Sequence, residues 1–252
     1  MYIYNMRIKL FFNLFFIFAI INWLPTFAQS TDEIINNHIA AIGGNENWEK
    51  IKSLKIEGTL KGDIGHITIT KRILKGKAIR NDLQMHGRTS IRNDKKYYVI
   101  LNGKNGWKYM PDNKNNTILS LYESEIIQLD DELDYEDPFI NYIEKGRVIH
   151  MVGIEYYNEK EFYKFLIEYK SGKKIYCYMD VNSLMIDKTV LIEAEVDDIR
   201  EYKNYEKLPA GIWIAKQVIS LNGELNITSV EINPNLLPDV FLPSNTNKYN
   251  YK

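Results

Sequence analysis

The sequence predicts a mainly β protein with two short helical stretches: one large, strongly curved antiparallel sheet. Three observations predict it. Apolar residues alternate with period two along most segments after Ser53. Short turns such as Lys75-Gly76, Ser171-Gly172 and Asn222-Gly223 separate those segments, so neighbouring strands run antiparallel. Helical periodicity is confined to a stretch after Ser30 and another after Leu121. The plan is a helix, five or six strands, a helical insert, then six or seven strands. A flat sheet of that many strands is uncommon; it curls or splits. A curled sheet has a hollow side that its own side chains, its helices or a ligand must fill.

The first 29 residues form a separate object. MYIYNMRIK carries Arg7 and Lys9 and no acid, and the apolar run LFFNLFFIFAIINWL follows. PTFAQS then supplies a helix break and small residues. These are the three regions of a secretory signal, with cleavage expected near Ala28 or Gln29. The run is short for a membrane span, which needs about 20 apolar residues. Met6 is an alternative start. Residues 1–29 are therefore read as a signal peptide and 30–252 as one domain.

The chain has 32 basic and 33 acidic residues, and loss of Arg7 and Lys9 leaves the mature part modestly acidic. No basic stripe dominates, which argues against a nucleic-acid partner. The single cysteine, Cys177, allows no internal disulfide and lies far from the cleavage region. It reads as a small buried apolar residue. The expectation is an exported, periplasmic protein without a lipid anchor.

The mature chain opens on Ser-Thr-Asp-Glu, where Ser30 and Glu33 have capping-box spacing. Ile34, Ile35, Ile39 and Ile42 share a helical face, and Gly43-Gly44 ends the helix. Trp48 and Ile51 add one more turn. In SLKIEGTL, Leu54, Ile56, Gly58 and Leu60 share one strand face. IGHITITKRI, KAIRNDLQM, GRTSIRND and KKYYVIL continue as strands. In NGKNGWKYMP, Gly103 and Gly106 permit a tight turn that delivers Trp107 and Tyr109 to one face. That face either lines the hollow or packs under the first helix.

The run LYESEIIQLDDELDYEDPFINYIEKG is acidic and helical, with Leu121, Ile126, Ile127 and Leu129 packing. Pro138 interrupts it, so a second short helix is expected over 139–143. Strand signals return from Arg147 to Asn233. There Phe165 and Ile167 share a face, as do Tyr176 and Tyr178, while Trp213 alternates against its isoleucine neighbours. The tail after Phe241 is polar.

Chemistry-bearing motifs are scarce. His38, His66, His86 and His150 show no zinc-ligand spacing. No Gly-x-Ser-x-Gly nucleophile motif occurs. The acidic run lacks the glycine and alternating oxygen ligands of a calcium loop. No catalytic residue, metal site or cofactor is assigned.

Several motifs share an order. The helix ending AIGG precedes IKSLKIEGTL, then NGKNGWKYMP, DPFINYIEKG, VGIEYYNEKEFYKFLIEYKSGKKIYCYMD and the terminal VFLPS. This order resembles the outer-membrane lipoprotein-sorting-like proteins of bacteroidete-type bacteria, which belong with LolA-like lipoprotein carriers. The resemblance implies a mainly β fold with an α lid, an unclosed, strongly curved antiparallel barrel capped by short helices, with an apolar cavity for a lipid or a lipoprotein's acyl chains. It also implies membrane partner proteins on the donor and acceptor sides. Cavity candidates are then Trp107, Tyr109, Phe139, Phe165, Ile167, Tyr176, Tyr178 and Trp213. Lid candidates are Ile35, Ile39, Leu121, Ile126 and Ile127. The alternative is a non-enzymatic envelope interaction module with a packed core.

Overall fold

A computed structural model describes residues 30–62, 65–86, 95–111, 117–192 and 198–243. The expected signal peptide, the strand GRTSIRND and most of the polar tail lie outside the described residues. The chain divides into two compact units, residues 1–34 and 35–252. The described part of the first unit is the opening turn of helix α1 (Thr31–Ala41). There the Glu33 N–H donates to Ser30 Oγ at 3.1 Å, the expected N-cap bond.

The second unit starts within α1, where Ile35, Ile39 and Ile42 are buried. The helix ends at Gly43, whose φ of 114° suits glycine. A Cβ at Gly43 would lie 2.4 Å from the Gly211 carbonyl oxygen, so the bare backbone also permits a close approach. Helix α2 (Asn45–Glu49) follows. Its buried Trp48 donates from Nε1 to the Ile42 carbonyl at 3.2 Å.

Among the described residues thirteen strands form one antiparallel sheet. They are β1 (Ser53–Gly62), β2 (Gly65–Leu74), β3 (Ala78–Met85), β4 (Lys95–Asn102), β5 (Asn105–Tyr109) and β6 (Ile118–Ser120). After the insert come β7 (Val148–Tyr157), β8 (Lys160–Glu168), β9 (Lys174–Asp180), β10 (Ile186–Leu191), β11 (Asp198–Lys207), β12 (Trp213–Ser220) and β13 (Gly223–Ile232). The spatial order is β6-β5-β4-β3-β2-β1-β13-β12-β11-β10-β9-β8-β7. Two meanders are thus joined by the β1–β13 pairing, and β6 and β7 are left as opposite edges. The sheet is open.

Residues 121–147 carry the chain from one edge to the other. They begin with α3 (Glu123–Glu132). The Glu125 carboxylate accepts the Tyr122 N–H at 2.9 Å and pairs with Lys108 of β5 at 2.6 Å. Beyond Pro138 the expected short helix is absent: the segment is a series of turns, and Asn141 has φ of 49°. A left-handed residue ends helical propagation. Leu121, Leu129 and Leu133 pack on Ile73, Ile79 and Leu101 of β2–β4. Phe139 packs edge-on to Phe165 of β8, with centroids 5.2 Å apart.

The insert reveals the curl. Lys71 of β2 bonds Glu132 at 2.7 Å, while Ser171, in the β8–β9 turn, bonds the adjacent Asp131 at 3.2 Å. In a flat sheet those partners would be about six strand spacings apart, close to 30 Å. Two side chains on neighbouring residues do not reach that far. The sheet therefore bends around its inner face, and the insert lies across it.

A 3-10 turn at Pro238–Phe241 covers the outer face instead. Phe241 packs with Ala78, Tyr98, Ile100 and Tyr109 there, and Trp107 joins that cluster.

Candidate functional site: a covered hollow on the inner face

Between the insert and the sheet lies a cavity of about 660 Å³. Its floor is sheet: Ile56 and Ile73, then Ile175, Ile186, Leu191, Tyr202, Tyr205, Trp213, Ala215 and Val218. Its roof is the insert from Gln128 to Pro138, and Ile42 and Trp48 close one end. The floor is mostly apolar and the roof mostly charged.

The pairing register extends the floor beyond the cavity. Antiparallel partners point to the same face. Val218 pairs with Leu225, which pairs with Leu60; Leu60 pairs with Ile67, and Ile67 with Met85. Beside them Ile227, Gly58, Ile69, Leu83 and Tyr97 form a second row. Leu60, Ile69, Leu83, Met85, Tyr97, Leu225 and Ile227 are only half-buried. An apolar trough thus leads from the hollow along the inner face.

The roof's charges are paired. Besides the Lys71–Glu132 contact, Lys75 bonds the buried Glu136, and Arg147 bonds Asp134 and the Pro138 carbonyl. Lys145 bridges Asp134 at 2.8 Å and Glu136 at 2.5 Å. On the floor, Arg200 of β11 pairs with Asp198 of the same strand at 3.1 Å. Burial raises the Glu132 carboxyl pKa, but Lys71, Arg200 and a hydrogen bond from Asn81 outweigh it and the net shift is downward. Burial also pushes the Tyr202 and Tyr205 hydroxyls up, so both stay neutral donors in the hollow. Cys177 is fully buried on the same face, and burial holds its thiol well above the usual range. Among the described residues no group of three or more His, Cys, Asp or Glu is placed to hold a metal ion.

The expected cavity residues separate into three groups. Trp213 lines the hollow. Phe139, Phe165 and Ile167 are wholly buried packing residues that fill the inner face near β8 instead of lining the cavity. Trp107 and Tyr109 lie on the outer face: Tyr109 stacks on Tyr98 at 5.4 Å beneath the C-terminal turn. Tyr176 and Tyr178 are on the outer face too, where Lys164 sits 4.4 Å over the Tyr176 ring and Lys188 4.3 Å over Tyr178. The reason is register: Cys177 and Ile175 point inward, so their tyrosine neighbours point outward.

Of the expected lid residues, Ile35, Ile39 and Leu121 are buried, Ile126 packs against the Leu129 cluster, and Ile127 is exposed. The sequence reading missed Tyr202, Tyr205, Ala215 and Val218. Asn204, with φ of 56°, breaks the alternation of β11 so that Tyr202 and Tyr205 face the same hollow.

The chain's structure resembles that of a DUF1329 family protein from Desulfovibrio piger: TM-score 0.54, 13% identity, 82% of this chain and 97% of that one. The two share a fold. Other structural neighbours are a LolA superfamily protein from Nitrosomonas europaea (TM-score 0.49, 13% identity, 83% and 96% covered). A domain from Vibrio parahaemolyticus, described as that of an outer membrane lipoprotein-sorting protein, scores 0.49 at 14% identity over 83% and 94%. No family model and no curated protein matches the chain.

Proposed function

We propose that the protein is an exported carrier that shelters a lipid, or the acyl chains of a lipoprotein, on the inner face of its sheet. The observation that carries this reading is the apolar floor under a polar roof, with about 660 Å³ between them. Small-molecule sites span about 300–1,000 Å³. Each methylene moved from water into such a floor contributes about 0.8 kcal/mol. A chain of ordinary length gains useful affinity with no charged contact, which fits the scarcity of catalytic motifs. The order of sequence motifs supports the same reading, as does the trough that continues from the hollow. In this reading the first 29 residues serve as the export signal, the carrier works in the periplasm, and donor and acceptor membrane proteins hand over the cargo.

One observation favours the second reading, an envelope interaction module. The edge strand β7 exposes Val148, Val152, Ile154 and Tyr156.

Organic extraction of protein purified from its native host, followed by uptake of a fluorescent fatty acid, tests the carrier. Co-extracted lipid and saturable uptake are expected. Ala215→Trp fills the hollow and should lower uptake about tenfold or more with the melting temperature little changed. A clean extract with no uptake overturns the carrier and leaves the interaction module.

A further inference from the structure

Two acceptors face one ring. His38 of α1 is wholly buried. Its Nδ1 lies 2.6 Å from the Leu184 carbonyl oxygen, in the turn between β9 and β10. Its Nε2 lies 3.0 Å from Asp137 Oδ1, in the insert. A neutral imidazole has one N–H and satisfies only one of them; an imidazolium has two and satisfies both. We infer that His38 is held as an imidazolium and acts as a pH-dependent latch, fastening the insert to the sheet beneath it.

The surroundings hold the ring in place. Phe139 meets it edge-on at 4.9 Å. Asp137 Oδ1 also accepts the Phe139 N–H at 2.9 Å, so the carboxylate cannot swing away without undoing the turn after Pro138. Leu184 has φ of 59°, which aims its turn at the ring.

From the insert, Asp137 faces the ring; Arg147 is engaged by Asp134 and the Pro138 carbonyl. From the turn after β9, the Asp180 carboxylate is occupied by the Asn182 and Ser183 N–H groups, with Lys160 at 3.6 Å. From the sheet, burial first and the Asp137 charge after it push Cys177, Tyr169, Tyr202 and Tyr205 upward, so all stay neutral. Asp137 is thus the counter-charge. Burial disfavours the charged ring, but the Asp137 carboxylate and the two hydrogen bonds outweigh it, and His38 titrates above its ordinary value. The sign follows. The latch is whole below the ordinary histidine value, and it is lost as pH rises through the raised one.

Asp137 also lines the hollow, so the latch and the cavity share a wall. The latch would regulate access to the cargo; that consequence rests on the carrier reading, whereas the latch itself does not. Two measurements on the intact chain test it. In a pH titration, nitrogen-15 NMR of His38 should give both ring nitrogens still protonated at the ordinary histidine value. Hydrogen exchange of peptides covering 133–147, corrected for intrinsic rate, should be slow while the ring is protonated and rise about tenfold or more as His38 loses its proton. His38→Gln and Asp137→Asn should exchange at the faster rate and show no such step. Loss of the ring proton at or below the ordinary histidine value, or exchange indifferent to the titration, overturns the latch even if neither variant folds. Neither result bears on fatty-acid uptake, so the two ideas fail separately.

Discussion

Single residues decide which face does what. Trp107 drew attention in the sequence because two glycines precede it, yet its partner across the pair is Ile100, on the outer face. Its neighbour Lys108 points inward and pairs with Glu125 at the foot of the insert. Gly106 explains the spacing better than the tryptophan does. A Cβ there would lie 2.6 Å from Leu121 Cδ1, so the bare position lets the insert begin flush on β5. Gly106→Ala should destabilise by about 1–3 kcal/mol, read as a lower denaturant midpoint. Asp180 offers a pH test. Burial raises its carboxyl pKa, but the Ser183 and Asn182 N–H groups outweigh that and leave it depressed. Its contribution is complete above the ordinary aspartate value and is lost as pH falls through the depressed one. Asp180→Asn should therefore flatten the acid limb of a stability–pH curve. Cys177 should resist thiol reagents until the chain unfolds, because its thiolate is disfavoured and it is wholly covered.

At the scale of elements, the strands were legible where two conditions held: strict alternation and a short turn. SLKIEGTL put Leu54, Ile56, Gly58 and Leu60 on one face, and that face is the inner one. The hairpins at Ser171-Gly172 and Asn222-Gly223 form where read. The strands apolar on both faces were not assignable, because alternation cannot say which of Ile175 or Tyr176 is inward when each face has a cover. Irregular residues hid more. Asn204 in β11 and the register shift between Ile186 and Lys188 in β10 change which side chains meet the hollow. The insert was read as two helices because its apolar spacing continues past Pro138. Asn141 and the polar grip of Asp134, Glu136 and Asp137 on neighbouring cations make it turns instead. Leu133 anchors the insert's first half, so Leu133→Ala should cost about 2–4 kcal/mol and raise exchange in 121–135 before the strands are affected.

At the scale of the whole second unit, two strands far apart in sequence hold the meanders together. Leu54 pairs with Ile232 and Lys61 with Glu224 across β1 and β13. Contacts of such separation are slow to form. Refolding from denaturant should be in the millisecond-to-second range typical of non-local β topologies, and a chain stopped before Gly223 should not give the cooperative melt of the full one. Between the two edges, β6 and β7, the described residues make no strand pairing; a length of chain links them instead. A ring of paired strands has a bore fixed by strand number and stagger. Here the two edges are linked by a tether, so its length becomes a dimension of the hollow. Adding a few residues to that tether should enlarge the hollow, and shortening it should narrow it, with no strand of the sheet altered.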